Sequence, residues 1–294
     1  MAEMRLGVIF PQLEIGARSE GVRRFVETVE DTGYDHLGIY DHVVGADISG
    51  RSNWPGPYTS EHDFHEVLVL YGYCAAITQR IELCTSILIL PQRQTVLVAK
   101  QAAEIDVLSN GRLRLGVAIG WNPVEYEALN EDFHNRGRRI EEQIDVLRRL
   151  WTKPVVTFDG RWHHIEAAGI KPLPVQRPIP IWMGAYSEPA LRRAARIADG
   201  WFPQLGADER GEAMVSRFRE YVREAGRDPD QVGIEGRMQF GDGDEDRWRR
   251  EIETWRRRGA RYLSLVTMNA GLTSPQQHID AIRQFYEVAS THDR

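Results

Sequence analysis

Asp41-His42 stands where a short apolar run, Leu37-Gly-Ile-Tyr40, comes to its end. An imidazole changes charge near neutral pH, so a histidine there can accept, donate or shuttle a proton, and a neighbouring carboxylate could orient its ring. A solvated pair in a loop fits the same spacing equally well. The second stretch of interest is Gly116-Val-Ala-Ile-Gly-Trp-Asn-Pro-Val-Glu-Tyr126. Its small and branched apolar residues make a strand as far as a turn at Gly120, with Trp121 and Asn122 facing outward at the carboxyl end. The third is Gly184-Ala-Tyr-Ser187, a strand-to-helix joint. Its backbone N–H groups and the helix N-terminus behind them could seat a phosphate. A plain helix cap with Ser187 as N-cap accounts for the same residues, and Glu188 would have to point away from an anion.

Other groups carry weaker signals. The segment from Val43 to about Glu66 offers Trp54, Tyr58, Phe64 and His65, with Arg51 its only basic side chain. It reads as an aromatic lid over an apolar, mostly uncharged substrate, or as a structural cover or dimer contact. His62 with His65 and His163 with His164 lack carboxylates or cysteines at ligand spacing, so no metal site is expected. Of the 37 basic residues only Lys100, Lys153 and Lys171 are lysines. None sits at the carboxyl end of an expected strand, which argues against Schiff-base chemistry. The run Arg247-Trp-Arg-Arg250 with Arg256–Arg258 reads as the solvated face of a helix.

Positioning these groups requires an alternation of short apolar strands and longer amphipathic helices, the pattern of a parallel sheet with crossover helices. Strands are expected at Leu6–Phe10, His36–Tyr40, Ile81–Leu90, Leu113–Ile119, Ile179–Met183, Gly200–Pro203, Val232–Met238 and Tyr262–Thr267. Helices are expected at Gly21–Gly33, Val96–Leu108, Arg136–Trp151, Glu188–Ala198, Glu209–Ala225, Asp244–Arg258 and Pro275–Ala289. Eight strands with about as many helices predict an α/β fold, one (β/α)8 TIM barrel over residues 1–294, with insertions after strands two and four. The alternative, an open doubly wound sheet, often carries a GxGxxG turn that this sequence lacks. The second insertion, Pro154 to Pro180, holds two alternating runs, Val155–Phe158 and Arg161–Ile165, around Asp159-Gly160, and so a hairpin.

Bulk properties exclude several classes. A chain of 294 residues buries a large core without disulfides. Cys74 and Cys84 lie in apolar stretches and read as buried thiols. A net charge of −6 gives no electrostatic footprint for nucleic acid or an anionic membrane. The longest nearly apolar run, Val67 to Ile77, is too short to span a bilayer, and no basic-then-apolar leader opens the sequence. A cytoplasmic protein is expected.

Several motifs, in order along most of the chain, resemble the luciferase-like monooxygenase superfamily. They are Phe10-Pro-Gln12, Tyr40-Asp-His42, Thr85-Ser-Ile-Leu88, Ala99-Lys-Gln101, Asp106-Val-Leu-Ser-Asn-Gly-Arg112, Gly116–Glu125, Arg136-Gly-Arg138, Pro172-Leu-Pro-Val-Gln-Arg-Pro178 and Arg193-Ala-Ala-Arg-Ile-Ala-Asp-Gly-Trp201. Beyond strand six the resemblance thins. It implies a barrel that binds coenzyme F420, an 8-hydroxy-5-deazaflavin, or FMN at its carboxyl-terminal face. It implies that His42 lies beside the reactive ring carbon with Asp41 supporting it, and that Thr85-Ser86-Ile87 carries a bulge with a cis Ser86–Ile87 bond behind the ring. Gly116, Ala118, Gly120, Trp121 and Asn122 would complete the ring site, with Gly184, Ala185, Tyr186 and Ser187 on the phosphate. Sugar-phosphate dehydrogenases of the family place a glutamate near the position of Trp121; its absence argues against a sugar phosphate, and Glu125 is one helical turn away. The resulting expectation is hydride transfer between F420 and a small, uncharged organic substrate. The same-fold alternative is an FMN monooxygenase fed by a separate reductase; a non-catalytic flavin-storing protein is the alternative of another class. Relatives imply a homodimer.

Overall fold

The computed structural model describes residues 4–54 and 56–290. Its centre is a closed parallel barrel of eight strands. In chain order these are β1 (Arg5–Ile9), β2 (His36–Ile39), β3 (Glu82–Thr85) continued by the short β4 (Leu88–Ile89), β5 (Leu113–Ala118), β8 (Ile181–Ala185), β9 (Gly200–Pro203), β10 (Gly233–Gln239) and β11 (Tyr262–Val266). Each pairs in parallel with its neighbour, and β1 closes the ring on β11 from Arg5↔Tyr262 to Ile9↔Val266. Strands buried on both sides are nearly continuous apolar runs, which is why β1, β2 and β11 are inside over almost their whole length.

The helices pack outside. They are α1 (Ser19–Thr32), α2 (Val67–Ile77), α3 (Thr95–Leu108), α4 (Pro123–Ala128), α5 (Arg136–Thr152), α6 (Glu188–Ile197), α7 (Glu209–Glu224), α8 (Glu245–Arg257) and α9 (Pro275–Ser290). Helix α8 shows the logic: Trp248, Ile252 and Trp255 recur on one face and are buried, while Arg249 on the other pairs with Glu245 and Asp246. The arginine-rich run is a solvated face only in part: Arg250 and Arg257 are exposed, but Arg258 is buried against Glu212 and the Gly206 and Asp208 carbonyls, and Arg247 turns to the Gln239 and Phe240 carbonyls. Asp208 and Asp244 start α7 and α8 by accepting the N–H groups of Gly211 and Arg247.

Beyond shifts of one or two residues at element ends, three places differ in kind from the sequence expectation. The expected strand Ile81–Leu90 is two strands, β3 and β4, separated by a cis Ser86–Ile87 bond, with Leu90–Gln92 in a 3₁₀ turn. The expected Ile179–Met183 is displaced to Ile181–Ala185. There the Ile181 N–H donates to the Asp199 carboxylate, and pairing with β9 runs on to Ala185↔Pro203. The hairpin in the second insertion exists as β6 (Val156–Asp159) and β7 (His164–Ala168), antiparallel, but its turn has four residues rather than two. Glu142 on α5 accepts the N–H groups of Arg161, Trp162 and His163 and pins the longer turn.

Inside the barrel, nearer its amino-terminal end, a charged cluster replaces apolar packing. Arg114 bridges Glu82 (2.5 Å) and Glu235 (2.7 Å), while His36 lies 3.3 Å from Glu235 and 2.9 Å from Ser264. Burial would raise the Glu235 carboxyl, but Arg114 and His36 outweigh it and hold it far below the usual carboxylate range. Both cysteines are buried and unbridged.

Candidate active site

The carboxyl ends of the strands converge on a cavity of about 810 Å³. Its floor comes from β3 to β5 and β8: Ser86, Ile87, Ile89, Ala118 and Gly184 all line it. Gly116 lies just beneath, because a Cβ there would come within 2.0 Å of the Thr85 carbonyl oxygen. Thr85 donates its own hydroxyl to the Gly116 carbonyl (2.7 Å), locking the strands together under the bulge. Thr85 and Gly116 therefore support the floor from below, while Ser86 and Ile87 form its surface.

His42 stands on one wall with its side chain only 10% exposed. Its Nδ1 lies 3.4 Å from the Glu125 carboxylate. Its ring meets Tyr58 and Phe64 edge-on, each at 4.8 Å between centres, and Trp121 at 5.7 Å. Glu125 is fully buried and also accepts the N–H groups of Val43 and Val44 and the Gln92 amide. Burial would raise its carboxyl, yet His42, the Val43 N–H and Gln92 together hold it below the ordinary range, so it stays ionised beside His42.

The acid supporting His42 is thus Glu125 and not Asp41, contrary to the role the resemblance gave Asp41. The Asp41 carboxylate turns to the Ile89 N–H (2.9 Å) and Arg93 (2.7 Å), which also holds Glu66 at the start of α2. Burial pushes the Asp41 carboxyl up against the opposing pull of Arg93. Asp41 ties the end of β2 to β4 and α2 and so fixes where His42 begins.

Asn122 does not face the main cavity. It accepts the Val124 and Glu125 N–H groups as N-cap of α4, aiming Glu125 inward, and borders a side pocket of about 90 Å³ with His42, Tyr58 and Phe64. Of the lid residues, Tyr58 lines the main cavity, and burial pushes its hydroxyl up to about 12. Trp54 stands behind Trp121 at 5.6 Å and donates to the Tyr58 carbonyl. His65 is turned away: its ring packs on Phe10 and its N–H is held by Gln12. The lid chain leaves the barrel top there, so His65 braces the base of the lid rather than the substrate space.

Opposite His42, Gly184, Ala185, Tyr186 and Ser187 line the cavity with the first turn of α6 at Ala190. Gly184 and Ala185 belong to β8, so the turn itself is Tyr186-Ser187. Ser187 is extended at the N-cap and its hydroxyl does not cap the helix. Glu188 reaches back to Arg192 (3.1 Å). The sequence reading left out several lining residues: Tyr40, Ile89, Gln204, Leu205, Arg237 and Gln239. Arg237 carried a usable signal, a lone arginine in the otherwise core-forming run of strand seven. So did Glu125, because Asn-Pro-x-Glu is a helix-start pattern. Among the described residues no cluster of three or more His, Cys, Asp or Glu could hold a metal, and no helix is long and apolar enough to cross a membrane.

Comparison with known proteins agrees with this architecture. A model of the family described as luciferase-like monooxygenase matches residues 4–291. An uncharacterised protein of Mycobacterium tuberculosis is 34% identical over 209 residues, 68% of this chain and 71% of that protein. An FMNH2-dependent dimethylsulfone monooxygenase of Pseudomonas fluorescens is 34% identical over 158 residues, and the match spans 53% of this chain and 43% of that one. The coenzyme F420-dependent tetrahydromethanopterin reductase of Methanopyrus kandleri superposes over all of both chains with a TM-score of 0.77 at 17% identity, a likeness of fold. With the family match running over nearly the whole barrel, the chain belongs to the luciferase-like monooxygenase family.

Proposed function

We propose that this protein is an oxidoreductase that transfers hydride between coenzyme F420 and a small organic substrate in the cavity at the barrel mouth. The observation that carries the reading is the His42–Glu125 pair, set among aromatic rings in the same cavity as Ser86, Ile87, Ala118 and Gly184. The floor suits a planar ring: a Cβ added at Gly184 would sit 3.3 Å from the Ala118 methyl and 3.4 Å from Ile87, a tight fit that a larger residue would disturb. Ser86, Ile87, Ala118 and Gly184 would carry the ring, and the Tyr186-Ser187 turn with the first turn of α6 would hold its phosphate. When bound, the cofactor supplies the carbon that gives or takes hydride.

The protein's part is proton management and exclusion of water. Glu125 keeps a negative charge against Nδ1, which favours the tautomer protonated there and leaves Nε2 as the atom that gives or takes the proton accompanying the hydride. Tyr58, Phe64 and Trp121 shield that exchange from solvent. Asp41, through Arg93 and the Ile89 N–H, keeps the end of β2 in place.

A second reading, an FMN-dependent monooxygenase served by a separate reductase, is favoured by the match to the FMNH2-dependent dimethylsulfone enzyme. The chemistries differ because a deazaflavin lacks N5 and activates oxygen poorly. Titrating the apoprotein separately with FMN and with F420 distinguishes them. Tighter binding of F420, with turnover unaffected by removing oxygen, is the expected result; preference for FMN with oxygen-dependent turnover would replace it. Binding without any turnover would leave only cofactor storage.

A further inference from the structure

One positive charge in the cavity is unmatched. Asp41, His42 and Arg237 are the chargeable groups of acid or base type lining it besides tyrosines. Asp41 is closed off by Arg93 and the Ile89 N–H, and His42 faces Glu125. Arg237 has no carboxylate partner among the described residues. Its guanidinium donates to the neutral Ser86 hydroxyl (2.9 Å) and lies 5.2 Å from the centre of the Tyr40 ring. The nearest acid on its own strand, Glu235, is already matched by Arg114, His36 and Ser264.

A guanidinium presents five N–H donors in a fixed fork. One nitrogen of Arg237 serves Ser86, and none of its nitrogens is both buried and without a partner, so the free donors open onto the cavity it lines. Bracing the Ser86 hydroxyl would need only a neutral donor. Bringing a full charge into a half-closed cavity carries a desolvation cost that an anion would offset.

We propose that Arg237 is the specificity-determining residue for an anionic oxygen group on the substrate, a carboxylate or sulfonate. The free edge of the guanidinium holds that group, with the Gln239 amide, two residues on along β10, beside it. Tyr58 and Trp121 take the apolar remainder. The inference rests on the cavity being the substrate site of the proposed oxidoreductase. It also revises the expectation of an uncharged substrate, which came from a lid whose only basic residue is Arg51; here the cation comes from a barrel strand instead.

The test uses two probes of matched shape, phenylacetate and phenylacetamide. They are titrated by calorimetry into the full-length protein and into R237Q and R237K, with and without the cofactor selected above. The wild type is expected to prefer phenylacetate by about 10-fold or more, with the preference shrinking as salt is raised. In R237Q the preference disappears while phenylacetamide binds as before, and in R237K part of it returns. Equal affinities in the wild type, or an undiminished preference in R237Q, would overturn the proposal. If R237Q does not fold, the wild-type preference and its salt dependence decide alone. Anion preference without binding of either FMN or F420 would keep Arg237 in this role and remove the oxidoreductase reading. Cofactor binding with equal probe affinities would do the reverse.

Discussion

At the scale of single residues, His42 and His278 show opposite uses of a buried imidazole. His42 faces the cavity with an ionised carboxylate behind it, so His42→Ala should lower turnover by roughly 10²–10⁴, the size of a general acid–base contribution. Cofactor affinity should hardly change, and the melting temperature should stay near that of the wild type because Glu125 keeps the Val43, Val44 and Gln92 donors. Steady-state kinetics beside a thermal melt would check this; a variant that unfolds makes His42 structural. His278 sits inside α9 with Nδ1 on the Thr267 hydroxyl (2.8 Å), and burial pushes its imidazole from 6.5 down to about 4. The unfolded chain then takes up this proton first as pH falls. The contribution of a neutral His278 is complete above 6.5 and is lost progressively between 6.5 and about 4. Urea unfolding across that window should show stability falling with pH, and His278→Asn should flatten the slope there. Equal slopes in both proteins would refute it. The cis Ser86–Ile87 bond was legible only through the family resemblance of Thr85-Ser-Ile-Leu88, and the place of His42 through its position at the end of an apolar run. Glu125 as partner of His42 was not: it meets that loop across 82 residues of chain, a distance that spacing cannot bridge.

Among the elements, legibility followed how local the determinants were. Strands β1, β2 and β9 came out close to their apolar runs. β8 shifted by two residues because its register is set by Asp199 and β9, and the hairpin turn lengthened because Glu142 on another element holds it. The short α4 went unread although Asn122 and Pro123 announce it. Helices α2 and α3 pack side by side, and α2 is apolar nearly all round. Val69 is 71% exposed on α2, and Val96 and Leu97 are exposed at the start of α3. An apolar face of this kind calls for cover, and a second copy of the chain, as the family resemblance implies, is the expected occupant. Sedimentation should then find a dimer that a Val69→Glu, Leu97→Glu double variant converts to monomer. A monomeric wild type would leave this face without that explanation.

For the molecule as a whole, the eight-strand barrel was readable because its periodicity repeats around the ring, but the charged cluster within it was not. Glu82, Arg114 and Glu235 come from three strands and look in sequence like interruptions of apolar runs. Arg114→Met should cost about 3–5 kcal/mol, because it takes the guanidinium from the buried Glu235 while Glu82 keeps Arg5. Denaturant unfolding would measure it, and a loss below about 1 kcal/mol would mean that water or His36 replaces the guanidinium.

The turn at Leu90–Gln92 and the arginine after it reach both carboxylates near the cavity: Gln92 holds Glu125, and Arg93 holds Asp41. Both carboxylates are therefore anchored to the barrel frame, while among the described residues the chain from 46 to 63 meets His42 through the edge of the Tyr58 ring. Such a division lets the covering loop drift in length and composition without disturbing the His42–Glu125 pair beneath it. New substrates could be recruited by exchanging the roof, with the foundations inherited unchanged.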